Sequence, residues 1–441
     1  MLLNFRAKNF KAFKNGFELN MRASLIQDLN YSVRSNLTDK RVLTSSVIYG
    51  PNASGKTTII EAMQFFRDLV LEGTIENSTR KDFVLSANKE LVPFALDDEI
   101  NPVEFEIAFI KDSLEYNYGV SFYIGAFDEE DYNRQIIKEY LKINSKEIFN
   151  RTADKVNVNY KNIDDEFVVR GLNESNKENY ISIFNQNLDK EKLFLNTHFA
   201  TMVSKELYEK IYSWFTFDFL IIHSFNRVRM NLNLGDNSYS YLPDFAYAAV
   251  KKIGVLGTTL KFVKDENGKS VLLSTFDNGK TKHTIPSNII ESFGTLRFLD
   301  LFPLILDSIT SGATLVIDEL DTSLHPMVIM SIANVYHDPE INTKHAQLIF
   351  NTHNPVFLNN KIFRRDEMCF VEKDAETNIS EFYKLSDFQT NSSTPTRNTT
   401  DYLNNYFMNR YGAIEYVDLS DVFRDILSNG VGVEKNEETA E

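Results

Sequence analysis

GPNASGKT (50–57) is the stretch on which the reading of this chain turns. It follows a short apolar run, TSSVIYG (44–50), and opens TTIIEAMQFFRDLVLEG (57–73). In that second segment Ile60, Met63, Phe66, Leu69 and Val70 recur at helical spacing, and Gly73 supplies a stop. A G-x-x-x-x-G-K-[ST] pattern between a buried strand and a helix is a phosphate cradle. Glycines let the backbone wrap tightly so that several N–H groups point inward, and the helix N-terminus adds partial positive charge. The residues expected around a nucleotide are therefore Gly50, Pro51, Asn52, Ala53, Ser54, Gly55, Lys56, Thr57 and Thr58. Lys56 should reach the β- and γ-phosphates, and the Thr57 hydroxyl should ligate Mg²⁺. A plain glycine-rich turn is the competing reading; motif and flanking elements together disfavour it.

A length of 441 residues allows two domains, or one core with a large insertion. The single cysteine, Cys369, excludes a disulfide framework and fits a reducing, cytoplasmic setting. The opening MLLNFRAKNF is too short and too quickly charged for a signal peptide, and no window approaches 18 uncharged apolar residues. A net charge of −15 argues against coating nucleic acid by bulk electrostatics. The charge is uneven, however. Within the first 41 residues Arg6, Lys8, Lys11, Lys14, Arg22, Arg34, Lys40 and Arg41 face only Glu18, Asp28 and Asp39. That cluster reads either as a nucleic-acid groove or as ordinary solvated faces.

Coarse patterning orders the rest. LLNFRAKNFKAFKNGFELNM alternates around Asn15-Gly16 as a β-hairpin, and residues 103–124 read as two antiparallel strands around Lys-Asp-Ser. From 190 to 265 the pattern is helical and aromatic-rich; VLLSTFDNGKTKHTIP then restores a hairpin. Two apolar strands, ATLVIDEL (313–320) and AQLIFNTH (346–353), are followed by a closing hairpin in RRDEMCFVEKDAETNISEFYKL. No internal repeat is visible, and no heptad pattern persists between 74 and 290.

LVIDE (315–319) is the buried strand with a terminal acid that a Walker B element requires. Asp318 is the metal-side carboxylate and Glu319 is placed to polarise the attacking water; a helix-capping Asp-Glu turn is the alternative. Asp318 lies about 260 residues after Lys56, far beyond the spacing of compact modules. Just ahead of it, ESFGT (291–295) opens an apolar helix. Ser292, Gly294 and Thr295 offer a hydroxyl donor, close approach and free helix N–H groups for a γ-phosphate, although an isolated Ser292 would read as a simple N-cap. Pro303 should bend this helix or start another. LDTSLHP (320–326) follows, with Asp321 the natural D-loop residue, while His325 reads as a structural turn residue rather than a metal ligand. AQLIFNTHNP ends in His353, whose order and spacing after LVIDE suit contact with the γ-phosphate or the attacking water, a turn-stabilising role beside Asn-Pro being the alternative.

This order of Walker A, large insertion, serine-glycine helix, Walker B, D-loop and strand-end histidine resembles the ABC-type ATPases without a long coiled coil, the AAA-type core or OLD-like group. These are relatives of the chromosome-maintenance and recombination-repair ATPases. NFKAF (9–13) resembles that group's N-terminal strand motif, and YLNNYFMNRYGAI its C-terminal pattern. The likeness is tight over 1–72 and 285–415 and loose between them; Gln135 and Gln186 are weak candidates for the family's Q-loop glutamine.

The resemblance implies an α/β fold: an ABC-type P-loop NTPase head with a mixed central sheet, an N-terminal antiparallel β subdomain and a helical insertion. The expected division is 1–73 for the N-terminal lobe and 74–189 for the β-rich part of the insertion. Then follow 190–265 for its helical part, 266–388 for the C-terminal lobe, 389–429 for a loop and helical extension, and 430–441 for a disordered acidic tail. It implies ATP and Mg²⁺ as cofactors, Lys56, Glu319 and His353 as catalytic residues, and a homodimer in which Ser292, Gly294, Thr295 and Asp321 of one copy complete the site of the other. Higher oligomers are compatible with it. Many relatives work in phage defence beside a separate nuclease or toxin, and 190–265 is a candidate partner surface, with a core role for its aromatics equally open. Two other classes stand beside this one. A DNA-clamping repair ATPase would use the basic N-terminal region. A self-contained nuclease would use VEKD (371–374), but too few residues remain for a further catalytic domain of about 100 residues.

Overall fold

The computed structural model describes residues 1–35, 40–76, 93–96, 100–124, 134–164, 167–168, 177–223, 239–254, 258–265, 269–277, 279–389, 401–414 and 418–429. The polar loop expected at 389–400 and the acidic tail at 430–441 lie almost wholly outside them.

Apolar–polar alternation builds the first sheet. It contains β1 (Leu2–Lys8), β2 (Phe17–Asn20), β6 (Val103–Lys111), β7 (Leu114–Tyr123), β8 (Gln135–Ile143), β9 (Lys146–Thr152) and β10 (Val156–Val158), all antiparallel, in the order β10-β9-β8-β7-β6-β1-β2. The β6–β7 turn closes through Asp112 (φ +50°) and Ser113 (φ +64°), the left-handed pair that matches strand twist in tight hairpins. A two-stranded ribbon, β3 (Val33–Arg34) and β4 (Val42–Leu43), leads into the second sheet.

The second sheet is the mixed one. β5 (Ser45–Tyr49), β11 (Phe219–Ile222), β16 (Thr314–Ile317), β17 (Gln347–Asn351), β18 (Met368–Lys373) and β19 (Ser380–Lys384) run in the order β11-β16-β17-β5-β18-β19. Every pair is parallel except β18–β19 at the edge. SSVIY, TLVI and QLIFN are buried throughout, as strands covered on both faces must be. β12 (Tyr239–Tyr241), β13 (Thr258–Lys264), β14 (Ser270–Asp277) and β15 (Lys282–Pro286) form a separate antiparallel sheet.

Helices fill the layers: α1 (Lys56–Glu72), α2 (Lys177–Gln186), α3 (Lys205–Ser213), α4 (Asp244–Lys252), α5 (Ser287–Ile290), α6 (Phe293–Ser311), α7 (Pro326–His337), α8 (Tyr402–Phe407) and α9 (Ser420–Asn429). The apolar stripe of α1 packs on the seven-stranded sheet, with Phe66 stacked on Phe105 at 5.4 Å. Alternate residues of the mixed sheet point both ways: Ile48, Val316 and Ile349 join that core, whereas Val47, Leu315, Ile317, Leu348 and Phe350 pack toward α6 and α7. Gln347 ties the sheets together, donating to Leu2 O and Leu43 O at 3.0 Å and accepting from Leu2 N at 2.6 Å.

Two local expectations change. The helical reading of 190–265 holds for α3, α4 and two π-helical stretches, but FLII (219–222) is a strand of the mixed sheet and Thr258–Lys264 one of the small sheet. Four apolar residues carry no period of their own, so pairing with Thr314–Ile317 decides. Phe199, Trp214, Phe215 and Phe219 are fully buried, Trp214 against Phe109 at 4.0 Å, and belong to the core, whereas Phe217, Tyr239, Tyr241 and Phe245 of the same segment are exposed. Pro303 lies inside α6, which continues through it to Ser311. No helix among the described residues is long and apolar enough to cross a membrane.

Candidate functional site

Parallel strands deliver their carboxyl ends to one edge of the sheet, and the sequence motifs gather there. β5 turns through the glycine-rich loop into α1. Ala53 (φ +58°) and Gly55 (φ +109°) take the left-handed conformation that turns the loop inward. A Cβ on Gly50 would stand 2.4 Å from Val371 O, so β18 passes too close for any side chain. The NFKAF turn braces the loop from outside. Phe13 lies against Gly55; Ser380 donates its hydroxyl to Ser54 O at 2.6 Å and its N–H to Ala12 O at 2.8 Å. Lys56 is buried, with Nζ donating to Gly50 O at 2.8 Å and Pro51 O at 2.7 Å. Burial lowers its pKa to about 8, against the pull of Glu319, Asp318 and Asp321.

β16 presents the two acids. The Thr57 hydroxyl donates to Asp318 Oδ1 at 3.1 Å across 261 residues of sequence, and Asn351 Nδ2 donates to the same oxygen at 2.5 Å. Burial alone would raise the Asp318 pKa, but His223, Asn351 and Thr57 together hold it below the usual carboxylate value. A hydroxyl and one ionised carboxylate are hard oxygen donors that suit Mg²⁺, which keeps several waters and needs no all-protein cage. Glu319 is exposed and sits at φ +50°, a sparsely populated conformation that persists only where surroundings enforce it. Those surroundings are Asn351 Oδ1, accepting from Glu319 N at 2.5 Å, and Arg297, donating to Glu319 O at 3.4 Å. Asp321 accepts from the Thr352 hydroxyl at 2.6 Å, which fixes the D-loop to the end of β17. Partial burial and the Lys56 ammonium hold His353 below the ordinary histidine pKa, whereas the nearby acids oppose the shift.

α6 starts from Ser292, whose hydroxyl caps its own helix by accepting from Thr295 N at 3.0 Å and meeting the Thr295 hydroxyl at 2.9 Å. Within one chain Ser292 is thus an N-cap, exposed at its position. A Cβ on Gly294 would lie 2.6 Å from Ser323 O, so the glycine lets the D-loop pass.

Other candidates fall elsewhere. Gln135 begins β8 of the seven-stranded sheet and Gln186 ends α2, so neither lies on a strand of the mixed sheet. His325 is the N-cap of α7, accepting from Met327 N at 3.2 Å. Several of the N-terminal cations are engaged within the fold: Lys8 with Glu104, Lys11 with Glu61, Arg22 and Lys40 with Glu115, and Arg34 with backbone carbonyls. Ser45, His337 and Glu367 meet at 2.7–3.3 Å, but all are fully buried, and serine and carboxylate approach the same ring nitrogen. That is a packed polar cluster, not a nucleophile–base–orienter series.

Sequence reasoning missed Asn351, Thr352, Arg297 and His223. Asn351 and Thr352 carried a signal, two polar residues ending the apolar run QLIF. His223 follows β11 directly, with Nδ1 3.3 Å from Asp318 Oδ2, and carried none, because β11 itself read as helix.

A comparison with curated proteins finds no match to the chain. Residues 45–359, about seven-tenths of its length, match the family described as "AAA domain, putative AbiEii toxin, Type IV TA system". That span runs from β5 to just past the end of β17, taking in the phosphate loop, both acids and the strand-end histidine. With the match covering well over half its length, the chain belongs to this family of AAA/ABC-type ATPases of the abortive-infection class.

Proposed function

We propose that the protein binds ATP–Mg²⁺ in the loop 50–58 and hydrolyses it, two copies closing head to tail around two nucleotides. Lys56 and the loop amides hold the phosphates, Thr57 and Asp318 hold Mg²⁺, Glu319 orients the attacking water and His353 contacts the γ-phosphate. Ser292, Gly294, Thr295 and Asp321 of the second copy complete each site. Catalysis is then positioning and charge stabilisation by preorganised groups. Closing and reopening gate a separate effector, a nuclease or toxin, in antiphage defence. The observation that carries the reading is the Thr57–Asp318 contact at 3.1 Å, which joins the phosphate loop to the Walker B acid.

The test contrasts two variants. Lys56→Ala should lose nucleotide binding. Glu319→Gln should bind ATP and accumulate a closed dimer on sizing chromatography, and wild-type hydrolysis should rise more steeply than linearly with protein concentration below the dimerisation constant. Normal hydrolysis by Glu319→Gln would reject its role, and strict linearity would reject the shared site. An adjacent nuclease or toxin reading frame would support the effector.

A further inference from the structure

β11 pairs in register with β16, Ile222 opposite Ile317, and Ile222 O accepts from Asp318 N at 3.0 Å. The residue after β11 is therefore level with the metal-side acid. That residue is His223, its side chain 22% exposed. Nδ1 lies 3.3 Å from Asp318 Oδ2, and Nε2 lies 3.7 Å from Glu61 Oε1 on α1. Glu61 is itself held, since its other oxygen is 2.7 Å from Lys11 Nζ in the NFKAF turn. The two Asp318 oxygens thus have different surroundings. Oδ1 takes Thr57 and Asn351; Oδ2 faces the imidazole.

We propose that His223 is a positioning residue of the metal site. Its ring, set between Glu61 and Asp318, holds Oδ2 so that Oδ1 stays aimed, beside Thr57, at the Mg²⁺ of bound ATP–Mg²⁺. A carboxylate held at one oxygen can swing about its Cβ–Cγ bond; held at both, it cannot. Partners of this kind around a ligating group typically change metal affinity 10–100-fold. Lys11, Glu61, His223 and Asp318 also follow one another at 2.7, 3.7 and 3.3 Å from the N-terminal turn to the metal-side acid. The proposal rests on the ATP–Mg²⁺ reading above.

The test is equilibrium binding of a fluorescent ATP analogue to the full chain, with saturating Mg²⁺ and with EDTA. His223→Ala should weaken binding about 10- to 100-fold with Mg²⁺ and by less than about twofold in EDTA. His223→Asn, whose amide Nδ2 can donate from near the Nδ1 position, should recover most of the difference. Asp318→Asn marks the full loss of the Mg²⁺-dependent gain. Two results would overturn the role of His223: a Mg²⁺-dependent gain unchanged in His223→Ala, or equal weakening in Mg²⁺ and EDTA. If His223→Ala does not fold, His223→Gln with a lost gain supports the proposal and with a full gain overturns it. A wild-type chain that binds no nucleotide in either condition would instead overturn the ATP–Mg²⁺ reading, and His223 with it.

Discussion

Replacing Gly294 by alanine sets helix propensity against packing, and the two predict opposite signs. In the first turn of α6 an added methyl should stabilise the helix by about 0.5–1 kcal/mol, because glycine loses more backbone freedom on folding. In the structure that methyl would stand 2.6 Å from Ser323 O, where ordinary contact begins near 3.4 Å, so the helix start or the D-loop must retreat by about 0.8 Å. Ser323 is at φ +67° and Thr322 is tied to Glu319 at 3.3 Å, so the loop has little room to yield. Overpacking of this kind costs about 1–3 kcal/mol, which outweighs the propensity gain over most of that range. Spread over the unfolding entropy of 441 residues, the net cost lowers the thermal midpoint by up to about 3 °C. A retreat approaching 1 Å also misplaces the D-loop beside Asp318 and Glu319, and turnover should drop about 100-fold. Nucleotide binding by the loop of the same chain should stay within about twofold, since α6 does not line that loop. Differential scanning calorimetry, analogue binding and phosphate release measure the three effects. A Gly294→Ala protein with an unchanged or raised midpoint and full turnover would refute the steric argument.

Asn351→Ala removes a donor to Asp318 and an acceptor for Glu319 N at a residue only 1% exposed. It should cost about 2–4 kcal/mol by urea unfolding and weaken Mg²⁺-dependent nucleotide binding; retention of both would reject its bridging role. Glu139 is fully buried with Arg151 at 3.4 Å, and also accepts from Tyr118 OH, Phe194 N and Leu195 N. Glu139→Ala should cost about 3–5 kcal/mol by stranding Arg151, and Glu139→Ala/Arg151→Met should recover part of it in the same denaturation assay. Because burial lowers the Lys56 pKa to about 8, the cationic form that phosphates require is present below that pH and lost above it. ATP-analogue affinity should therefore weaken above about pH 8, by up to about tenfold per pH unit, and flatten in Lys56→Arg; constant affinity to pH 10 would contradict this.

What the sequence revealed, and what it hid, divides by range. The phosphate loop and LVIDE were legible because each packs its chemistry into eight or fewer consecutive residues between elements of clear pattern. The β6–β7 hairpin was legible for a similar local reason, since its turn residues tolerate positive φ. β11 was not. Four residues show no period, and their strand conformation comes from Thr314–Ile317, about 95 positions later. His223 was hidden for the same reason. Ser292 shows a different limit: capping its own helix and the proposed contact with a partner's nucleotide ask for the same residue type, and the structure shows the cap.

The long gap between Lys56 and Asp318 looks like a liability for a site that needs ångström placement, yet the fold makes it nearly irrelevant. Loop-closure entropy grows only logarithmically with length, about 0.6 kcal/mol per doubling, so a large insertion costs little once its ends are fixed. Its ends are fixed twice. α1 leaves the phosphate loop and buries its stripe in the same core as β6–β10, so the insertion begins inside the N-terminal lobe instead of hanging from it. The chain then returns through β11, which pairs with β16, and goes on from there to the small sheet and α6. The strands that carry the chemistry are neighbours in space, β16 and β17 directly paired and β17 paired with β5. Variation inside the insertion can therefore change what the protein touches without moving Thr57 relative to Asp318. Changes at Gln347, which bonds Leu2 and Leu43 from within β17, cannot be neutral in the same way, because that residue links the N-terminal sheet to the strand that ends in Asn351 and leads directly into Thr352 and His353.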